Sequence, residues 1–599
     1  MSVTRESEAA AVAEAPHAAA RFATRASFHM RRYLPLYVFG TIWAVMIGLF
    51  PTINHNSNSS NDTSVLGASQ QRGQLGAGSQ AAAAGPGDAS AGITDTGGTV
   101  PGGGGGGNLV LVSGDTPSGP IATPVSGQGV TGGGVACSPG VRQLPFSAYA
   151  DPCVEKFSGN NGGATARGVD AKTIKITLRK TADADGPNAQ AGNQVAKESG
   201  NATADEAQAY GMEYLPYFNK MFELYGRKVV VNVWTGQGNG TNEAQSQGQE
   251  AACADATNIA ETQKSFGAMG YAFGFLSQPF AECAAHEKIY VPLGGAYFPE
   301  EYYQRWDPYV WATTTECDRI SSDAAEYVGK RLSHKKPQWA GDALLQAKDR
   351  TFGVYVPNND GYQHCVNLFS NNLKQYNEKV SSRYDYTLDI SQFPSEATRG
   401  IVQFNAAHIS TIIMSCDPIS MIFLTQEATK QNYHPEWFNI GVAADDTDGL
   451  ARLWDPTAIN GHLFGMSQLG TDAKIFSATG EAAQAYKAAT GKVMPQGAAG
   501  VYYSLMMLFN QLQAAGPNLT AANIAIGTHN LPDAGGSSGA VGTWRFKGDH
   551  TAIEDSREIY WDSKATGYDG KQGDYRETYG GKRFKSGEWP AENPPVHPE

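Results

Sequence analysis

The chain has 599 residues, a formal net charge of -13 and 70 glycines. The acidic balance argues against a nucleic-acid or anionic-surface partner, while the length leaves room for several domains. Much of the glycine lies before residue 135, so the packed part of the chain is sought after it.

Residues 1–32 read as a disordered cytoplasmic tail, Ala- and Glu-rich over residues 1–20. Arg21, Arg25, Arg31 and Arg32 precede an uncharged apolar run from Tyr33 to Phe50. As a helix, that run would span about 27 Å, the thickness of a bilayer core. Basic residues on its N-terminal side place that side in the cytoplasm. Residues 33–51 are therefore expected to be a single-pass signal anchor, with the globular domain outside the cell. The alternative is a cleaved signal peptide, but the n-region is long and no small-x-small site follows Phe50. Residues 52–135, rich in Gly, Ser and Ala, cannot bury a core and read as a flexible linker. Its reach as a coil is roughly 50 Å, enough for a cell-wall spacer, though low-complexity filler reads the same way.

Residues 136–599 carry the folded domain. Strands are expected at Thr173–Leu178 and Arg227–Trp234, then at Ser265–Gly270, Ile289–Leu293 and Tyr309–Thr313. Arg179 to Gly200 reads as a long polar loop, a candidate rim or lid. Ala204 to Tyr225 is an amphipathic helix with Tyr210, Tyr214, Tyr217, Phe218 and Phe222 on its buried stripe. Further helices are expected at Asn242–Glu261, Gln278–Glu287 and Ser321–Leu332. From Asp349 to Gly441 the chain alternates strand and helix: Thr351–Val356, Tyr384–Leu388, Ser410–Cys416 and Glu436–Gly441 are the strands. Such alternation means parallel βαβ units, with ligands at the carboxyl ends of the strands. A strand at His462–Met466, helices at Ala473–Thr490, Ala498–Ala515 and Leu519–Thr528, and short strands at Gly539–Phe546 and Ile559–Asp562 complete the chain. The fold class is α/β: two doubly wound parallel-sheet lobes with a hinge and a ligand cleft between them. The first lobe is expected over about 168–330 and 450–500, the second over about 345–445 and 500–590.

All seven cysteines lie beyond the apolar run, which fits an oxidising compartment. Spacing alone does not fix connectivity. We pair Cys137 with Cys153, Cys253 with Cys283 and Cys365 with Cys416, which leaves Cys317 odd. No CxxC and no Cys/His cluster has metal spacing, so neither a metal site nor a cofactor is expected.

From about 168 to 590 the chain resembles the type 1 periplasmic-binding fold. Within it, the chain is similar to the branched-chain amino-acid-binding (leucine-binding-like) substrate-binding proteins of ABC transporters. The resemblance is carried by Val169-Asp-Ala-Lys-Thr-Ile-Lys-Ile176, Asp349-Arg-Thr-Phe-Gly-Val-Tyr-Val356 and Asn359-Asp-Gly-Tyr362. It continues through Phe393-Pro-Ser-Glu-Ala-Thr398, Ile412-Ile-Met-Ser-Cys-Asp-Pro418, Gly500-Val-Tyr-Tyr503 and Gly581 to Pro590. It supports the Cys253–Cys283 pairing, since a first-lobe disulfide is common in that family. An anchor and a long linker depart from the usual exported form, so a tethered sensor is the alternative to transporter delivery.

The resemblance implies first-lobe loop groups on a ligand carboxylate and second-lobe groups on an ammonium. Carried over by position, the first set is Ser277, Ala296 and Tyr297. Tyr362 matches a second-lobe aromatic, Asp417 falls where another often sits, and Asp445 takes the place of the ammonium-binding acid. Each has a plainer reading: Tyr362 as a packing residue, Asp417 as a helix cap, Asp445 and Asp446 as a solvated loop pair. The implied partners are an amino-acid-like small molecule (an amino acid, amide or short peptide) and an ABC permease, with the protein a monomer. An enzyme is not expected: the chain has no Gly-x-Ser-x-Gly, P-loop, His-Glu-x-x-His or strand-linked Gly-x-Gly-x-x-Gly.

Overall fold

The computed structural model describes residues 129–592 and residue 594. The expected tail, the apolar run at 33–51 and the linker up to residue 128 lie outside the described residues. The linker's last residues do fold: Val130 bridges Ala136, and Thr131 N donates to Val135 O at 2.8 Å. Among the described residues, no helix is long and apolar enough to cross a membrane.

Two sheets organise the domain. In the first, β1 (Thr173–Lys180) lies between β2 (Lys228–Thr235) and β3 (Gly267–Gly270), all parallel. The expected strands near 290 and 310 extend it only as single parallel bridges, Gly267 to Tyr290 and Val291 to Val310. The helix Ala204–Met221 covers this sheet. Thr203 and Glu206 form a reciprocal capping box at its start. Tyr214 and Phe218 of its aromatic stripe are fully buried. Phe218 meets Phe509 of the helix Ala498–Ala514 with ring centroids 5.2 Å apart.

The second sheet runs β10-β9-β8-β7-β6-β4-β5, with β11 paired to β9. β4 (Phe352–Pro357), β5 (Val380–Tyr386), β6 (Thr411–Met414), β7 (Glu436–Asn439) and β8 (Leu463–Ser467) are parallel. All six residues of β4 are buried, as a parallel strand covered by helices on both faces requires. β9 (Ser556–Thr566), β10 (Gln572–Glu577) and β11 (Arg583–Phe584) add an antiparallel edge, so this lobe is mixed rather than purely parallel.

Several expectations are corrected. Residues 179–200 are not a loop throughout: Pro187–Ser199 is a helix, with Pro at its start and Gly200 at φ 82 closing it. Gly539–Phe546 forms no strand beyond the single bridges of Trp544 to Ala534 and Ile553. The lobe boundaries also move. The helices Glu481–Thr490, Ala498–Ala514 and Ala521–His529 belong to the first lobe, because Tyr486, Tyr502, Phe509 and Ile524 share a core with Ile176 and Phe218. β8 belongs to the second lobe through its pairing with β7 and β9. The chain thus passes between lobes three times, near 312–319, 467–474 and 553–556.

The disulfides are Cys137–Cys153, Cys253–Cys283 and Cys317–Cys365. The Cys365–Cys416 pairing is therefore wrong. Cys317 opens the helix Cys317–Tyr327, which packs along the helix Asp360–Leu373 that carries Cys365; their Cα atoms are 5.3 Å apart. Cys416 is buried beyond the end of β6 as a free thiol.

Candidate functional site: the cleft between the lobes

The cleft lies where β1, β3 and β4 release the chain at their carboxyl ends. Near the end of β1 stands Arg179, whose guanidinium is buried and forked across two carboxylates: Glu243 (Nη2–Oε1 2.7 Å) and Asp255 (Nη2–Oδ2 2.7 Å). Its flat face lies 4.3 Å over the Phe280 ring. Burial alone would lower the guanidinium pKa; the bonds and charges of Glu243 and Asp255 outweigh it and hold it above its ordinary value. Ser277 donates to Glu243 and caps the helix Gln278–His286 by accepting from Phe280 N at 3.4 Å. The helix Pro187–Ser199 forms one side wall, contributing Ala189, Gly192 and Asn193.

The cavity holds about 580 Å³. Ser277 and Ala296 line its first-lobe wall, and Asn359, Gly361 and Tyr362 its second-lobe wall. Three bonds cross between lobes around it. Asn359 Nδ2 donates to Ala244 O (3.1 Å), Gln245 Nε2 to Leu388 O (3.4 Å) and Ala443 N to Tyr297 OH (2.9 Å). Asn359 Oδ1 is buried and has no hydrogen-bond partner. Non-glycine residues in the left-handed region gather here: Ala272 (φ 64), Phe273 (φ 58), Tyr297 (φ 63), Ala443 (φ 52) and Ala444 (φ 66). Such backbone strain persists only where surrounding contacts impose it, and it concentrates at ligand clamps.

The structure thus brings Ser277, Ala296 and Tyr362 together on the cleft and makes Tyr297 a cross-lobe strut. It separates the two aspartates from the cavity. Asp417 is the N-cap of the helix Pro418–Lys430: Oδ1 accepts from Ile419 N and Ser420 N, each at 2.9 Å, and Oδ2 from the Tyr386 hydroxyl. Burial pushes its pKa up against those bonds, which pull it down. Asp445 is not part of a solvated loop pair but fully buried. Its Oδ2 faces Cys416 Sγ at 3.9 Å and its Oδ1 has no partner. Burial first, then the charges of Asp417 and Asp446, push its pKa well up. Tyr362 couples the cavity to this buried cluster: burial raises its pKa, and Tyr297, Asp417 and Asp445 add to the rise. Arg179, Glu243 and Asn359 escaped the sequence reading. Arg179 directly follows the expected first strand and Asn359 opens the Asn-Asp-Gly-Tyr motif, so their positions, though not their contacts, were visible.

A scan against protein-family models finds no match, and neither does a search of curated proteins. Solved structures do match. A fatty acid ABC transporter substrate-binding protein from Thermomonospora curvata aligns at TM-score 0.50 and 16% identity, over 72% of this chain and 97% of that one. A solute binding protein of an ABC transporter from Rhodopseudomonas palustris BisB5, in complex with 3,4-dihydroxy benzoic acid, aligns at TM-score 0.46 and 11% identity, over 69% and 98%. The branched-chain amino acid transporter substrate binding protein LivJ from Streptococcus pneumoniae, in complex with isoleucine, aligns at 0.43 and 13%, over 68% and 100%. The two sheets and their cleft define a type 1 periplasmic-binding fold. At these identities the likeness is one of fold.

Proposed function

We propose that the chain is the solute-binding component of an ABC-type uptake system. It is held at the outer face of the cell membrane by residues 33–51 and works with a permease. It takes an amino acid or related small polar ligand, such as an amide or short peptide, into the cleft and releases it unchanged. The observation that carries this reading is Asn359, a residue of the cavity wall: its amide nitrogen is tied to Ala244 of the opposite lobe, while its buried oxygen lacks a donor. A buried acceptor left unmade costs about 1–3 kcal/mol. A ligand N–H or O–H would supply the missing bond while both lobes are engaged. The one guanidinium on the wall, Arg179, is already engaged by Glu243 and Asp255, so it offers no free positive charge to an anionic ligand.

Thermal unfolding of the chain against amino acids, amides, short peptides and aromatic acids tests this. A ligand at 100 times its dissociation constant should add about 2.7 kcal/mol, seen as a rise of a few degrees. Asn359→Leu should weaken that ligand roughly tenfold, with the fold retained. A flat response across the panel would sink the uptake reading in favour of a tethered scaffold.

A further inference from the structure

Three segments of the first lobe, at 300–307, 529 and 546–550, meet around the His550 imidazole. His550 Nδ1 lies 2.8 Å from Glu300 Oε1, and its Nε2 lies 2.9 Å from Asp307 Oδ1. His529, at the end of the helix Ala521–His529, has its Nδ1 on Phe546 O at 2.5 Å. A carbonyl oxygen only accepts, so Nδ1 carries the proton and the His529 Nε2 lone pair is free. The two imidazoles and the Asp307 carboxylate present their ligand atoms within 4.8 Å of one another. Trp311 packs against both rings, with centroids 5.2 Å from His529 and 4.7 Å from His550.

We propose that Asp307, His529 and His550 form a divalent-cation site of Zn²⁺ type, independent of the ligand cleft. Two imidazole nitrogens and one carboxylate oxygen are a donor set that zinc takes, with a water in the fourth position. Tetrahedral ligation at about 2.0–2.2 Å puts ligand atoms roughly 3.3 Å apart, a shift the partly exposed His529 can make. The second shell is already in place. Metal-bound imidazoles give their other N–H to a carboxylate or carbonyl, and here Glu300 serves His550 while Phe546 O serves His529. On binding, the cation replaces the proton on His550 Nε2, which is released to solvent. The other candidate cluster, Cys317, Asp318 and His364, lacks this chemistry because the Cys317 sulfur is held in its disulfide with Cys365.

The test is zinc titration of the metal-stripped, untagged full chain, followed by calorimetry and by the absorption spectrum of the cobalt form. Wild type is expected to take one equivalent of zinc with micromolar or tighter affinity and to give tetrahedral cobalt bands. His529→Ala and Asp307→Asn should each weaken binding at least tenfold and abolish the bands, with unchanged circular dichroism. His364→Ala should bind as wild type does. The proposal is overturned if wild type takes up no zinc. It is equally overturned if both site variants bind as tightly as wild type, or if His364→Ala is the variant that loses the metal. Should one site variant not fold, the other carries the comparison. Should both fail, the cobalt bands and one-to-one uptake of wild type and His364→Ala decide it.

Discussion

The carboxyl of Asp323 is sealed beneath the C-terminal segment, where it accepts from Ser556 Oγ at 3.3 Å and from Ser586 Oγ. Burial pushes its pKa up to about 7, against the pull of those hydroxyls and of Arg319. In the unfolded chain it titrates near 3.9. Between about pH 4 and pH 7 the folded state therefore binds the extra proton, and stability falls as pH rises through that window. Asp323→Asn should remove the fall. The variant should match wild type below pH 4 and gain on it above pH 7, by up to roughly 4 kcal/mol at about 1.4 kcal/mol per pH unit crossed. Denaturant titrations at pH 4 and pH 8 would show it; equal gains at both would refute the assignment. Asp417 and Asp445 show what sequence can and cannot say at this scale. An Asp before Pro418 was legible as a cap because capping is local. The burial of Asp445 was not, because it depends on Cys416, Asn439 and Tyr575 from three other segments.

Among the elements, the helix Pro187–Ser199 shapes the cleft most. Its sequence, PNAQAGNQVAKES, is polar and carries a glycine, so periodicity hid it; the proline at its start and Gly200 at its end were the usable signals. Its last residue presses on the opposite lobe. A Cβ on Gly449 would lie 2.1 Å from Ser199 O, a backbone atom that cannot swing aside. Gly449→Ala should therefore push the two lobes apart there, at about 1–3 kcal/mol. We expect weaker ligand binding with an intact fold, read by titration beside circular dichroism. Unchanged affinity would show that the contact plays no part in closure. The parallel strands β4, β6 and β7 were legible as buried β-branched and aromatic runs. β9 to β11 were partly or wholly missed, since their charged, aromatic sequences are set by pairing with β8 rather than by alternation. The same holds for the Cys317–Cys365 bridge, which depends on two helices lying side by side. Closing 48 residues, it contributes about 4 kcal/mol on the loop-entropy model. A Cys317→Ser, Cys365→Ser double variant should lose about 2–5 kcal/mol in denaturant titration.

At the scale of the whole molecule, the three passages between lobes are laced by arginines. Arg319 donates to Ile553 O (2.6 Å), joining the first to the third. Arg557 donates to Leu469 O (2.6 Å), and Arg583 to Gln468 O (2.5 Å) and to Asp555 Oδ1 (2.6 Å), joining the second to the third. The Arg583 side chain is 6% exposed, so Arg583→Ala leaves Asp555 buried without its charge partner. We expect a loss of about 3–5 kcal/mol in denaturant titration. The two-lobe plan was readable from the βα alternation, but the allocation of the helices after 470 was not. An apolar helix can cover either sheet, and only the packing of Phe509 and Tyr502 on Phe218 decides between them.

Three laced passages side by side behave as a door hinge rather than a ball joint. Stretching, sliding and swivelling each pull against at least one cross-tie, which leaves one soft coordinate, the angle between the leaves. A single distance, measured between one dye on each lobe, would then report the whole mechanical state of the molecule, and occupancy could be read out as a length.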